Sequence, residues 1–349
     1  MRFRCHSEND VDRAEVEAPF STHPWAFQET LTGAQIARGL HFALRLGVFD
    51  ALKDGPSTAK ETAASCGFGV RATTALLEAL ATTEFVRLDL EAERYRLTDD
   101  GRRLMVSSGK YSFADVLLAG ELSMHWTTDL LDFARTGDHR RVAASMTPEQ
   151  WSIHKRSQWA ASYLGRSALA LTLPLGARSL LDLGAAHGPL LLEACRAHPD
   201  TRAVAVDLVN GIRAAETLLA DEPSRDGITL YAADPAAFDL GVGQFDAIIS
   251  SGVVHHLSRP AAEELVSRCA RALRPGGVLS FVDFFASSPP RTGGQHAALL
   301  SLLLTMTSEA GPFTIEDVTA WQREAGLSPA PPRALLGGIV HVQTGRRTS

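Results

Sequence analysis

The sequence predicts an α/β fold that follows a mainly α-helical region, and three observations lead to this fold class. From Ser179 onward, short apolar runs typical of buried parallel strands alternate with segments of helical spacing. Before residue 111, helical segments are followed by a pair of short strand-like runs. The stretch between these regions has helical spacing almost throughout. A chain of 349 residues is long enough for two such domains.

The composition limits the classes of function. Hydrophobic residues make up 45% of the chain and charged residues 21%, which is typical of a globular protein. The net charge of -6 argues against a general affinity for nucleic acid or for an anionic membrane. The longest apolar run, near residues 297–306, is about half the length of a membrane-spanning helix. Residues 1–18 lack an apolar signal core, so we expect a cytoplasmic protein.

The cysteine and histidine spacings indicate neither a disulfide framework nor a metal site. The cysteines lie far apart in the chain, at Cys5, Cys66, Cys195 and Cys269. The histidines show no ligand spacing on a predicted helix. We therefore expect free thiols in a reducing compartment and no bound metal.

The N-terminal region, residues 21–110, is predicted to be a winged-helix domain behind a flexible tail of residues 1–20. Ser57 or Thr58 begins a short helix, and Glu61 is placed to complete a capping box. A longer helix follows, and then a ribbon around a polar turn. The expected ranges are Val70–Thr83 for that helix, and Phe85–Leu90 and Arg94–Thr98 for the ribbon.

A helical connector, residues 111–173, is expected between this domain and the α/β domain of residues 174–349. Its tryptophans could line an aromatic pocket or pack helix against helix, and the sequence favours neither. In the α/β domain we expect strands at Ser179–Leu183, Ala203–Val206, Ile228–Ala232, Ala247–Ser250, Val278–Val282, Ala330–Leu336 and Ile339–Thr344. The intervening helices are expected at Leu190–Ala197, Gly211–Ala220 and Ala261–Leu273.

A glycine turn joins the first of these strands to a helix, in the sequence Leu-Asp-Leu-Gly-Ala-Ala-His-Gly of residues 181–188. Gly184 lets the chain turn sharply, and Gly188 lets the backbone approach a ligand. Amides at the start of the following helix would face an anionic group. Alone, this motif is a weak indication of a binding site, and a tight strand–helix turn that binds no ligand remains the less favoured alternative.

Acidic residues end three successive predicted strands. Asp182 precedes the glycine turn, Asp207 follows the next strand, and Asp234 follows the third. The carboxyl ends of parallel strands meet at the edge where open α/β sheets bind ligands. A carboxylate at Asp207 could accept hydrogen bonds from both hydroxyls of a ribose. Each residue singly could be a helix cap, but all three together indicate a nucleoside-binding edge.

These motifs, with those at residues 245–249, 253–257 and 272–277, resemble the class I S-adenosylmethionine-dependent methyltransferases, which have a Rossmann-like domain. The N-terminal half resembles the winged-helix dimerisation domain of plant-type, acetylserotonin-like O-methyltransferases. This resemblance implies a homodimer that methylates a small molecule, most simply a hydroxyl of an aromatic or polyketide-like natural product. It also implies a cofactor site: Asp182, Gly184 and Gly188 for the methionine end, Asp207 and Leu208 for ribose, Asp234 and Pro235 for adenine, and Ser251 near the amino-acid end.

His255 matches the general-base histidine of that family, and His256 is the second choice. An imidazole with a pKa near 6.5 can take a proton from an activated phenol at neutral pH. The alternative is that one histidine of the pair only caps a helix or packs behind the sheet.

Two positions depart from the family pattern. Ala186 replaces the middle glycine of the cofactor loop. In residues 308–314, Pro312 stands where plant-type members carry the glutamate that orients the histidine, so Glu309 and Asp283 become the candidate orienting residues. The departure leaves open C-methylation, N-methylation and a homologue that binds the cofactor without transferring methyl.

Two classes of function other than methyl transfer are disfavoured. A DNA-binding regulator would need cations on its recognition helix, but the helix after Val70 carries Arg71 against Glu78 and Glu84. An NAD-dependent oxidoreductase would need Gly-x-Gly-x-x-Gly, whereas this loop is Gly-x-x-x-Gly followed by proline.

Overall fold

The computed structural model describes residues 24–109, 112–140, 142–170, 173–184, 188–286, 294–335, 338 and 340–348. The predicted tail at residues 1–20 and the loop residues 185–187 lie outside them. The backbone divides into two compact units, of which the first ends at Val106 and the second begins at Ser107.

The first unit has the predicted order of helices followed by a ribbon. Its elements are α1 (Pro24–Arg45), α2 (Val48–Ala51), α3 (Ala59–Cys66), α4 (Val70–Ala81), β1 (Val86–Asp89), β2 (Arg94–Leu97) and α5 (Asp99–Leu104). The capping box is confirmed: the amide of Glu61 donates to Oγ1 of Thr58 at 3.2 Å, and the amide of Thr58 donates to Oε2 of Glu61 at 2.8 Å. Strands β1 and β2 pair antiparallel.

Helix α1 is buried on one side and exposed on another within this unit. Ala43 is fully buried and Leu40 nearly so. Phe42 is 47% exposed and Leu31, eleven residues earlier on the same face of the helix, is 45% exposed. The unit's own core, built on Phe49, Leu52, Leu77 and Leu80, therefore covers only part of the apolar surface of α1.

The second unit begins with helices and continues as an α/β sheet. Its helices are α6 (Ala114–Trp126), α7 (Leu130–Thr136), α8 (Val142–Ser145), α9 (Pro148–Ala170), α10 (Gly188–Ala197), α11 (Val209–Leu219), α12 (Arg259–Ala272), α13 (Gly294–Thr307) and α14 (Ile315–Glu324). Its strands are β3 (Ser179–Leu183), β4 (Arg202–Asp207), β5 (Ile228–Ala232), β6 (Phe245–Ser251), β7 (Leu273–Asp283), β8 (Leu327–Pro329), β9 (Arg333–Leu335) and β10 (Val340–Arg347).

The sheet has the order β5-β4-β3-β6-β7-β10-β8, and β9 also pairs with β10. Strands β3 to β7 run parallel, whereas β10 runs antiparallel to β7. The strand order reverses between β3 and β6, which is the switch point where sheets of this type form a ligand crevice. Helix α9 packs against α6, α10 and α11.

The strand predictions hold best for β3, β4, β5 and β6. Strands β3 and β5 have the predicted ends, and β4 and β6 are each extended by one or two residues at either end. Beyond β7 the prediction was wrong in detail: two three-residue strands, β8 and β9, stand in place of the expected strand Ala330–Leu336, and β10 extends past the expected end at Thr344. Pro331 and Pro332 carry no N–H, so they cannot continue a hydrogen-bonded ladder between β8 and β9.

Among the described helices, we find none that combines the length and the apolar character required to cross a lipid bilayer.

We expect Gly101→Ala to destabilise the first unit. A Cβ at this position would lie 2.1 Å from the carbonyl oxygen of Phe85, so either α5 or the start of the ribbon must move. Overpacking against backbone costs about 1–3 kcal/mol or more. Chemical denaturation would measure the loss. Gly69→Ala, where a Cβ meets nothing within 4 Å, is the matched control; equal stabilities of the two variants would contradict the prediction.

Candidate active site

The parallel register brings five of the predicted site residues to one edge of the sheet. Asp182 is buried in β3, and Gly184 follows the end of that strand. Asp207 is the last residue of β4, and Ser251 is the last residue of β6. Asp234 lies two residues beyond β5, further along the same edge. The expected row of acidic residues at successive strand ends is therefore present.

Gly184 is required by the close approach of β3 and β6. Its φ is +105°, which favours glycine, and a Cβ there would lie 2.3 Å from the carbonyl oxygen of Ser251. Its amide donates to the carbonyl of Val206 at 2.8 Å, which ties the turn to β4 as well. The turn is thus fixed between the two neighbouring strands.

The structure gives a different reason for glycine at position 188. We expected a ligand to approach the backbone there. A Cβ at Gly188 would instead lie 2.1 Å from the ring of Trp159, a residue of α9. Helix packing by the tryptophan therefore explains this glycine.

Asp207 is held in a fixed orientation at the end of β4. Its Oδ1 accepts a hydrogen bond from the amide of Leu208 at 2.7 Å. A Cβ at Gly211 would lie 2.5 Å from the carboxyl carbon, so the carboxylate rests directly on the first turn of α11. Its Oδ2 forms an ion pair with the ammonium group of Lys155.

Lys155 is a site residue that the sequence analysis missed. Besides the ion pair with Asp207, its Nζ donates to the carbonyl of Gly184 at 2.7 Å, and its side chain is almost completely buried. The available signal was its position on α9, in line with Trp151 and Trp159 at a spacing of four residues. A lysine in such an aromatic row needs buried anionic or carbonyl partners.

Apolar side chains are exposed beside Asp207, at the ends of β4 and β5. Leu208, Val209 and Tyr231 are each more than a third exposed. Asp234 is also exposed, and its Oδ1 accepts from the amide of Ala236 at 2.9 Å, while Pro235 is buried. This surface combines apolar contact area with a carboxylate oxygen.

His255 is paired with Asp283. Its Nδ1 lies 2.5 Å from Oδ1 of Asp283, and both side chains are buried. The same Oδ1 accepts from the amide of Phe284 at 2.7 Å, which fixes the carboxylate at the end of β7. A carboxylate accepts, so Nδ1 carries the proton and Nε2 is left as the basic nitrogen.

The structure distinguishes between the two candidate orienting residues, Asp283 and Glu309. Among the described residues, Asp283 is the partner of His255, whereas Glu309 is exposed after the end of α13. Ser308, beside Glu309, places its Oγ 3.3 Å from Nδ1 of His256. The segment that replaces the glutamate of the plant-type pattern thus contacts His256.

Two neighbouring sets of rings, His255 with His256 and His154 with Trp126 and Trp151, are here called the aromatic cluster, because the histidines of the two sets affect one another's pKa. The ring centroids of His255 and His256 are 4.1 Å apart. The ring of His154 meets Trp126 and Trp151 edge-on, with centroids 6.3 Å and 6.1 Å away. The connector tryptophans therefore surround a histidine next to the predicted base.

Two histidines of the aromatic cluster are uncharged at neutral pH. Burial, followed by the proximity of Lys155 and His255, lowers the pKa of His154 to about 3. Burial against the cluster, followed by the proximity of His255, lowers the pKa of His256 as well, although its side chain reaches solvent. Both rings can therefore donate and accept hydrogen bonds without carrying charge.

Gln158 also faces this region from α9. Its Nε2 and Cε1 of His255 would each lie 3.9 Å from a Cβ at Gly252. Its Oε1 is buried and, within the described part of the chain, accepts no hydrogen bond. No group of His, Cys, Asp and Glu suited to a metal ion occurs among the described residues.

Both parts of the chain match known protein families. Residues 28–107 match the O-methyltransferase dimerisation domain, and residues 180–277 match the methyltransferase domain. The chain is 26% identical over 318 residues to 3-hydroxy-5-methyl-1-naphthoate 3-O-methyltransferase of Streptomyces sahachiroi, covering 89% of this chain and 91% of that protein. It is 31% identical over 186 residues to a methyltransferase of Mycobacterium bovis, covering 53% and 86%.

The fold is that of a solved human protein. The crystal structure of human N-acetylserotonin methyltransferase in complex with SAM aligns with a TM-score of 0.79 and 18% sequence identity. The alignment covers 95% of this chain and 100% of that one.

We expect His154→Gln to reduce the acid sensitivity of the fold. Since the pKa of His154 is lowered in the folded state, the unfolded chain binds more protons below about pH 6.5. Stability is therefore lost as the pH falls from about 7 to about 5, and glutamine removes that contribution. Denaturation curves at both pH values would measure it, with the exposed His198→Gln as control. The same loss in both variants would refute the prediction.

Proposed function

Since this chain belongs to the S-adenosylmethionine-dependent methyltransferases that carry an O-methyltransferase dimerisation domain, we propose that it methylates a hydroxyl of a small aromatic or polyketide-like acceptor. The family is the one that the sequence motifs predicted. The observation that carries the proposal is the pairing of His255 with Asp283 at the edge of the sheet that also holds Asp207.

The residues at this edge fit the cofactor. Asp207 offers a fixed carboxylate for ribose hydroxyls, and the exposed apolar surface of Leu208 and Tyr231 suits a flat adenine ring. When bound, S-adenosylmethionine supplies a methyl group on a positively charged sulfur. We assign its binding to the predicted residues Asp182, Gly184, Gly188, Asp207, Leu208, Asp234, Pro235 and Ser251.

His255 acts as the general base of this proposal. Asp283 holds Nδ1–H, so Nε2 of His255 accepts the proton of the acceptor hydroxyl. The carboxylate also stabilises the imidazolium that forms, as in other histidine–carboxylate pairs. The base needs no glutamate after α13, because the end of β7 supplies the orienting group.

The neutral histidines and the tryptophans form the acceptor side of the site. Trp126, which is half-buried, offers ring surface for an aromatic acceptor, and the buried Trp151 supports His154 from behind. His154, His256 and Gln158 offer uncharged hydrogen-bonding groups. This lining favours a planar acceptor with hydroxyl groups. The name of the Streptomyces relative describes methylation of such a hydroxyl on a naphthoate ring.

A panel of hydroxylated aromatic compounds, incubated with S-adenosylmethionine carrying a labelled methyl group, tests the function. We expect the label to appear in an acceptor that has a free hydroxyl. Mass spectrometry should show that this hydroxyl has become a methyl ether. Label on nitrogen or carbon would show that the acceptor class is wrong. Binding of S-adenosylhomocysteine without transfer to any compound would favour a homologue that no longer transfers methyl.

With a responsive acceptor, His255→Ala should lower kcat by about 10²–10⁴, because proton removal is no longer assisted. His256→Ala should have the smaller effect. Asp283→Asn keeps the shape of the side chain but not its charge, so it should lower kcat while leaving the affinity for S-adenosylhomocysteine nearly unchanged. Steady-state kinetics and calorimetry measure the two quantities. A larger effect at His256 than at His255 would overturn the assignment of the base.

We also propose that the enzyme is a homodimer formed through its first unit. The match to the dimerisation domain begins within α1, the helix whose residues Leu31 and Phe42 remain exposed in the single chain. A second copy would cover this apolar surface. An obligate interface of this kind buries roughly 2,000 Å² or more.

Removal of the residues before Lys53 should expose the apolar core that α1 covers. Leu40 and Ala43 are buried against the rest of the unit, so their partners would face water. We expect aggregated protein from the truncation and a dimer from the full chain, measured by light scattering at micromolar concentration. A truncated chain that is monomeric, well dispersed and active would contradict the proposal.

A further inference from the structure

Lys155 binds two hydrogen-bond acceptors at the centre of the proposed cofactor site. Lys155 and Asp207 are each only 5% exposed. Its ammonium group forms an ion pair with Oδ2 of Asp207 and donates to the carbonyl of Gly184 at 2.7 Å. A buried ammonium is costly unless its partners offset the loss of water, and these two acceptors do so.

The same two acceptors are the ones that the cofactor needs. Asp207 is assigned to the ribose hydroxyls and Gly184 to the methionine end. Oδ1 of Asp207 is already bonded to the amide of Leu208, and the carboxylate rests on Gly211. Oδ2 accepts no hydrogen bond from the backbone of the described residues and is the better placed oxygen for a new partner, and Lys155 holds that oxygen.

We propose that Lys155 occupies the ribose-binding carboxylate in the free enzyme and is displaced from it by the cofactor. The inference rests on the proposed cofactor site and adds a determinant of affinity to it. Every binding event then breaks the contact between Lys155 and Asp207. The ion pair keeps the empty site ordered and lowers the cofactor affinity by competition.

Helix α9 makes such a displacement feasible. Lys155 stands on the helix between Trp151 and Trp159, which hold the backbone through their own packing. Its flexible stem can withdraw the ammonium without moving the helix. The charge of Lys155 contributes to the lowered pKa of His154 and of His256, so the ammonium group already lies near the aromatic cluster.

The test is the affinity for S-adenosylhomocysteine, measured by isothermal titration calorimetry on the full chain. Lys155→Met keeps an unbranched side chain of similar length but cannot compete for the carboxylate. We expect the variant to bind S-adenosylhomocysteine about ten-fold more tightly than the natural enzyme does. This is the gain expected if the contact between Lys155 and Asp207 leaves about a tenth of the natural molecules competent to bind. The melting temperature of the ligand-free variant should fall, because Asp207 loses its buried partner. The exposed Lys60→Met is the matched control.

Weaker or unchanged binding by Lys155→Met would overturn the proposal. Weaker binding would mean that Lys155 supports the bound ligand, and unchanged binding would mean that Lys155 does not compete with it for Asp207. Should that variant fail to fold, a crystal structure of the natural enzyme with S-adenosylhomocysteine decides. The distance from Nζ of Lys155 to Oδ2 of Asp207 should then exceed about 4 Å, the limit of an ion pair. A retained ion pair in that complex would refute the displacement.

Asp207→Asn separates the failure of this inference from that of the proposed function. A weakened affinity for S-adenosylhomocysteine would support the ribose assignment whatever Lys155 does. No measurable binding by the natural enzyme would refute the cofactor site itself, and with it the displacement.

Discussion

The close approach of β3 and β6 is the constraint on which the rest of the site depends. The carbonyl of Ser251 stands where a side chain at residue 184 would begin, so the first turn after β3 must be glycine. This turn separates two parts of the sheet edge. On one side β4 presents Asp207, and on the other the chain after β6 leads to His255. A cofactor at the former and a base at the latter are therefore neighbours by topology.

Helix α9 provides the second half of the arrangement. Successive turns of this helix place Trp151, Lys155 and Trp159 over the sheet edge, with His154 and Gln158 beside them. Its lysine neutralises the acidic end of β4, and its histidine extends the aromatic cluster around His255. A segment that reads in the sequence as a connection between domains thus sets the charge balance of the site.

The sequence was sufficient for the features that local chemistry determines. Buried parallel strands show as continuous apolar runs, and an acidic residue lies at or next to the last position of β3 and of β4. It was insufficient where the answer depends on packing between distant segments. The contact of Trp159 with Gly188, and that of Lys155 with Asp207, join α9 to other elements in ways that periodicity does not encode.

The partner of His255 illustrates the same limit. Sequence alone left Asp283 and Glu309 as alternatives, since one follows a strand and the other lies near the position of the family's glutamate. The register of β6 with β7 decides between them: Ser251 pairs with Val282, so Asp283 is the next residue at the level of the turn that carries His255. Strand register is a long-range property, and residue spacing does not reveal it.

The location of Asp283 has a consequence for how this scaffold can diversify. The residue lies at the end of a strand flanked on both sides, by β6 and by β10, where it pairs with His341. The segment after α13 contacts His256 through Ser308 and pairs with Ala286 through Phe313 and Thr314. Under the proposed function, the proton-abstracting pair of His255 and Asp283 therefore lies outside α13 and the residues that follow it. Natural variation or directed evolution in α13 and the residues after it can alter which compounds are accepted while the proton-abstracting pair is inherited intact.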